Sequence, residues 1–122
     1  MVVSPDGTVA GSVSGGCVEA AVYELAADVV ASGRPELQRY GVSDDDAFAV
    51  GLTCGGTIDV FTEAVSRETF PYLQAVADAI AAHRAVAVAT IVAHPDSARV
   101  GARLVVGGAR GVGRRWLEVG VG

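Results

Sequence analysis

The sequence predicts an α+β fold, a mixed β-sheet with two long amphipathic helices in a single compact domain. Three observations carry this. Val18, Ala21, Val22, Leu25, Ala26, Val29 and Val30 recur at i, i+3, i+4, i+7, i+8, i+11 and i+12, the stripe of a helix facing a core. Phe70, Leu73, Val76, Ala77 and Ile80 mark one face of a second helix. Short extended patterns bounded by turn residues precede, separate and follow the two. The 122-residue chain is 51% hydrophobic and 19% charged, enough apolar material for a core without metal or disulfide staples and too much for disorder.

Taken in order, Val2-Val3-Ser4 is extended, Pro5-Asp6-Gly7 is a turn, and Thr8 to Val13 resumes as a strand. This hairpin opens the chain with no element before it, so its first strand is expected to find a neighbour upstream or on a partner. Ser14-Gly15-Gly16 breaks the strand and the first helix starts near Cys17, with Glu19, Glu24 and Asp28 on its polar side. Gly33 followed by Arg34-Pro35 ends it. Glu36 to Gly41 reads as a strand carrying Leu37 and Tyr40, and Ser43-Asp44-Asp45-Asp46 as a capped helix start for a short helix over Ala47 to Val50. Leu52 to Gly56 is a loop, and Thr57 to Glu63 alternates as a strand with Ile58, Val60 and Phe61 partly buried. Ser66 or Thr69 caps the second helix. Ala85 to Ala93 is a nearly continuous apolar strand, the pattern of one covered on both faces. His94-Pro95-Asp96 turns it, Arg99 to Val106 returns, and Gly107 to Gly122 is a Gly/Arg-rich tail.

Charge removes several functions. Nine Lys+Arg against fourteen Asp+Glu give a net charge of −5; all the cations are Arg, and no basic stripe suits a nucleic acid. The longest apolar run is about half the ~20 residues a membrane helix needs, and Met1 to Asp6 has neither region of a signal peptide. Two cysteines fit a cytoplasmic, thiol-bearing protein better than a secreted disulfide scaffold.

Chemistry concentrates around those cysteines. Cys17 ends Ser12-Val13-Ser14-Gly15-Gly16-Cys17 at a helix N-terminus, and Thr53-Cys54-Gly55-Gly56 precedes a strand. Glycines beside a thiol let backbone approach a bulky ligand and present amide N–H groups. The helix end favours an anion and lowers a thiol's pKa, against which Glu19 works. Ser14, Gly15, Gly16, Cys17, Thr53, Cys54, Gly55 and Gly56 are therefore the candidate ligand-binding residues, with Cys17 and Cys54 as candidate metal ligands. The plainer reading is that both cysteines pack in a core and the glycines only make turns. The Gly11 to Cys17 stretch sits where a phosphate loop would, but the chain has no lysine to complete one, which disfavours nucleoside triphosphate hydrolysis. Gly108, Gly111 and Gly113 are too close to the C-terminus for a dinucleotide-binding unit, and His83 and His94 lack zinc spacing. Asp44 to Asp46 serves as a capped helix start rather than a metal site, and no Ser–His–Asp order is legible.

Asp6 to Glu19, Tyr40 to Asp46 and Gly51 to Phe61 together resemble the XdhC/CoxI family over about residues 1–106, with 107–122 as a tail. The resemblance implies a maturation factor for molybdenum hydroxylases such as xanthine dehydrogenase and carbon monoxide dehydrogenase. Such a factor binds the molybdenum cofactor transiently, protects it while a cysteine desulfurase helps install its terminal sulfido ligand, and delivers it to the hydroxylase large subunit. The family's Gly-Gly-Cys motif falls on Gly15, Gly16 and Cys17 and its Cys-Gly-Gly motif on Cys54, Gly55 and Gly56. The cofactor, an anionic pterin phosphate with a thiophilic metal, suits amide-rich turns and soft thiolates. Members usually carry a helix and strand before the hairpin, and longer ones a C-terminal Rossmann domain; neither is found in this chain. Arg84 to Val92 resembles the missing strand and could substitute for it within the chain or across a homodimer. The alternatives to a cofactor chaperone are a persulfide carrier using Cys17 and a structural assembly domain with core cysteines.

Overall fold

The structure, a computed structural model, describes residues 1–41, 55–107 and the backbone of 115–118. The chain forms two compact units, Met1–Ala64 and Val65–Gly122. Its class is α+β, as expected, but among the described residues the strands are distributed over three small antiparallel sheets instead of one mixed sheet.

The first unit opens on β1 (Val2–Val3) and β2 (Val9–Ala10), paired Val2↔Ala10 and Val3↔Val9. The Asp6 carboxylate accepts from the Ser4 hydroxyl at 2.6 Å and the Thr8 N–H at 2.9 Å, closing the turn that Pro5-Asp6-Gly7 predicts. The second strand is shorter than the expected Thr8 to Val13, because Gly11 turns away with φ +78° and leaves residues 12–18 as a loop.

Helix α1 (Glu19–Ser32) begins two residues after the expected start at Cys17 and ends where Gly33 takes φ +69° and donates to the Val29 carbonyl at 2.9 Å. Val18, Val22 and Val29 are buried, while Val30, at the rim of the predicted stripe, is 70% exposed. Strands β3 (Glu36–Gly41) and β4 (Thr57–Thr62) form a hairpin ladder from Glu36↔Thr62 to Gly41↔Thr57. Tyr40, Ile58 and Val60 on one face of it join Val18 and Val22 in a hydrophobic cluster, with Met1, Val13, Cys17 and Ala21 against it. On the solvent side Arg39 faces Asp59, its Nε and Nη2 donating to Oδ1 and Oδ2 at 2.7 and 2.9 Å. The acidic stretch Asp44 to Asp46 and the short helix expected over Ala47 to Val50 lie outside the described residues.

In the second unit, α2 (Leu73–Ala81) is shorter than expected, and neither Ser66 nor Thr69 caps it. Those two residues instead bond each other's backbone: the Ser66 N–H donates to Thr69 Oγ1 at 2.7 Å and the Thr69 N–H to Ser66 Oγ at 3.1 Å. Their turn is separate, and Pro71 intervenes before the helix. The predicted face is also rotated: Ala79 is buried, whereas Leu73 and Ile80 are 46% and 62% exposed. Strand β5 (Val86–Thr90) pairs with β6 (Arg103–Gly107), which pairs with β7 (Arg115–Glu118) inside the stretch read as a tail. Ala87, Val88 and Ala89 are exposed, so the apolar run is not covered on both faces as its composition suggested. Its return strand starts later than Arg99, after a 3-10 turn over Ser97–Arg99 capped by the Asp96 carboxylate. The buried residues of β6 are Arg103 and Val105, with the Arg103 guanidinium 4.3 Å above the Phe70 ring and its Nη1 donating to the Thr69 carbonyl. No helix among the described residues is long and apolar enough to cross a membrane.

Candidate functional site

The loop between β2 and α1 carries the first glycine–cysteine motif. Gly15 and Gly16 have φ +77° and +119°, backbone that L-residues rarely adopt, and among the described residues no atom lies within 4 Å of where a Cβ would sit on either. Glycine is required here by backbone shape, and the side a Cβ would occupy is open.

The sequence suggested that the amides of this loop are offered to an anionic ligand. The structure fills them from within. Glu19, expected on the polar side of α1, folds back over the loop and takes seven hydrogen bonds. Its Oε1 accepts from the Ser12 hydroxyl at 2.7 Å and from the N–H groups of Val13, Ser14 and Gly15 at 3.0, 2.8 and 3.0 Å. Its Oε2 accepts from the Ser14 hydroxyl at 2.9 Å and the N–H groups of Gly16 and Val18 at 2.9 and 3.2 Å. The two serines extend the network: Ser14 Oγ accepts from the N–H groups of Cys17 and Val18, and Ser12 Oγ from that of Gly15. The donors, led by the Ser14 N–H and the Ser12 hydroxyl, hold the Glu19 carboxyl well below the usual carboxylate range. Amides of the loop just ahead of the helix are thus satisfied by the chain's own anion, held at the positive end of the helix dipole.

Cys17 lies between this loop and the core. It is half-buried and packs against the cluster of Val18, Val22 and Tyr40. The second motif is described only in part: Thr53 and Cys54 lie outside the described residues, so the separation of the two sulfur atoms is not defined. Gly55 and Gly56 lead into β4. Gly56 passes close to the end of β3, where a Cβ on Gly41 would stand 2.8 Å from the Gly56 carbonyl oxygen. Ile58 follows Gly56 by two residues and packs in the cluster that Cys17 adjoins. The first motif therefore adjoins the small core of the first unit through Cys17. Among the described residues no group of three or more His, Cys, Asp or Glu side chains could hold a metal ion. His83 and His94 belong to the second unit; His94 Nδ1 accepts from the Asp96 N–H at 2.9 Å within its turn.

Glu19 is the residue that reading the sequence missed. Its signal was present: an acid in a first turn, three residues after two glycines and within reach of two serines.

Residues 1–41 match the XdhC and CoxI family, a span covering the hairpin, the Ser12 to Val18 loop, α1 and β3. A curated relative is the molybdenum cofactor insertion chaperone PaoD of Escherichia coli (strain K12), 48% identical over 58 residues. The match takes in 48% of this chain and 18% of PaoD, so the chain spans less than a fifth of that relative's length.

Proposed function

We propose that this chain is a molybdenum-cofactor chaperone. It binds the cofactor transiently and protects it for insertion into the large subunit of a xanthine dehydrogenase or carbon monoxide dehydrogenase-type hydroxylase. The observation that carries the reading is the coincidence of the family match with the Ser12 to Val18 loop, in which a half-buried thiol stands beside two glycines open on one side. The likeness to PaoD points the same way. The cofactor supplies a thiophilic metal on an anionic pterin, and Cys17, with Cys54 as its counterpart, offers the soft ligand. Ser14, Gly15, Gly16, Thr53, Gly55 and Gly56 shape the approach. Sulfuration of the cargo by a cysteine desulfurase belongs to the same reading, and the need for reduced thiols fits the cytoplasm.

The test is retention of molybdopterin by the purified chain, measured by fluorescence of its oxidised pterin. Cys17→Ser and Cys54→Ser are each expected to lower retention by about tenfold with the helical circular dichroism kept, the scale on which site partners act. Unchanged retention in both variants removes the assignment. Incubation with a desulfurase and cysteine, followed by mass spectrometry, separates passive binding from sulfur carriage, because a carrier gains sulfur covalently.

A further inference from the structure

We infer that Glu19 is a positioning residue for Cys17: by filling the amides of the Val13 to Val18 loop, it fixes the backbone that carries the thiol and withholds those amides from the phosphate of the cofactor. This inference rests on the chaperone reading for its ligand and on the loop geometry alone for its structural half.

Seven donors converge on the two oxygens of Glu19, five of them backbone N–H groups. A carboxylate has about four lone-pair sites, so this one is saturated. An incoming phosphate would have to displace a competitor tethered in the chain itself, whose effective concentration is on the order of millimolar or higher. The loop therefore does not work as a phosphate cradle. What remains accessible is the open side of Gly15 and Gly16, where nothing among the described residues lies within 4 Å of either Cβ direction. The backbone there is held from one side by Glu19 and can be approached from the other. Cys17 is tied into the same network, its N–H donating at 3.0 Å to Ser14 Oγ, a hydroxyl that itself donates to Glu19. A loop with two glycines at positive φ would otherwise sample many conformations, and ordering it in advance removes that cost from binding. The glycines permit the shape and Glu19 holds it. Glutamine is the informative replacement, since it keeps the side chain's size but presents an NH2 group where the amides need an acceptor.

Alkylation by iodoacetamide at one fixed pH is followed in the full chain with Cys54→Ser as background, so that it reports on Cys17. Amide exchange and molybdopterin retention are followed in the full chain with Cys54 in place. In Glu19→Gln the Gly15 and Gly16 amides are expected to exchange about tenfold faster, the factor for loss of one charge-assisted hydrogen bond. Cys17 should alkylate several-fold faster as its loop loosens, and molybdopterin retention should fall about tenfold, as for loss of an outer-shell partner. Inorganic phosphate at millimolar concentration should leave the Gly15 and Gly16 amide resonances of the Glu19 protein unmoved. If Glu19→Gln does not fold, Ser12→Ala decides the matter. It removes a hydroxyl that donates to Glu19 Oε1 and accepts from the Gly15 N–H, so exchange should quicken most at Gly15 and, as Glu19 loosens, less at Gly16. Phosphate-induced shifts at those amides, or unchanged exchange and alkylation in the variants, would overturn the inference. The exchange and alkylation readouts need no cofactor. A chain that folds and responds in this way but never retains molybdopterin would overturn the chaperone reading and leave the role of Glu19 in the loop standing.

Discussion

Two carboxylates show how single residues set local structure in the first unit. Glu19 gathers the loop before α1, and Asp6 closes the turn between β1 and β2. The hydroxyl of Ser4, then the backbone N–H of Thr8, pull the Asp6 carboxyl from its ordinary 3.8 down to about 2. Because the folded value is the lower one, the ionised form favours the folded turn. That contribution is complete above pH 3.8 and is lost as pH falls through about 2. A carboxyl-carbon NMR titration should place the Asp6 midpoint near the lower value, and Asp6→Asn should abolish the dependence of hairpin stability on pH in this window. A midpoint at the ordinary value would contradict the hydrogen bonds described. Neither role stands out in a reading of the sequence by period and propensity, for a physical reason. Asp6 reads simply as a turn former, and Glu19 falls on the polar side of a helical wheel, whereas its side chain in fact reaches back along the chain to the amides before the helix.

At the level of elements, what was legible followed from local chemistry, and what was lost depended on tertiary contacts. Helix α1 and its glycine stop were legible because Val18, Val22 and Val29 of its apolar stripe are all buried and Gly33 takes the left-handed turn cheaply. Strands β3 and β4 were legible from alternation. The extent of α2 was not, since Ser66 and Thr69 look like caps but bond each other, and no sequence pattern reports which face of a short helix a sheet will cover. The end of α2 carries a less expected feature. His83 adopts φ +53°, with its N–H donating to the Ile80 carbonyl at 3.0 Å and that of Arg84 to Ala79 at 2.8 Å, the pair of bonds of a Schellman motif. A side chain at that position costs about 1 kcal/mol relative to glycine. His83→Gly should therefore raise unfolding free energy by about 1 kcal/mol in urea titration. The opposite holds at the end of β3, where Gly41 has φ +151° and the Gly56 carbonyl lies 2.8 Å from its Cβ direction. Gly41→Ala should cost about 2 kcal/mol, since the obstructing atom is backbone and cannot swing aside.

Across the whole molecule the functional signals are unevenly spread. The family match and the described parts of both glycine–cysteine motifs fall within Met1–Ala64, while the second unit contributes a helix and a three-stranded sheet with Val105 and Arg103 buried in β6. That division could not be read from composition, because apolar residues are even more frequent in Ala85 to Ala93 than in α1; only pairing and burial distinguish a half-exposed strand from a core helix. If cargo binding resides in the first unit, stability and binding should separate when the two cores are perturbed one at a time. Val18 is fully buried in the cluster against which Cys17 packs, and Val105 is 3% exposed in the other unit. Each Val→Ala change removes two buried methyl groups and should lower stability by about 2 kcal/mol. Val18→Ala should also weaken molybdopterin retention several-fold, because it undermines the floor beneath the Cys17 loop. Val105→Ala should leave retention unchanged at temperatures where both variants remain folded. Equal losses of retention in the two would mean that the cofactor-binding surface is not confined to the first unit, and that the second contributes directly to holding the cargo.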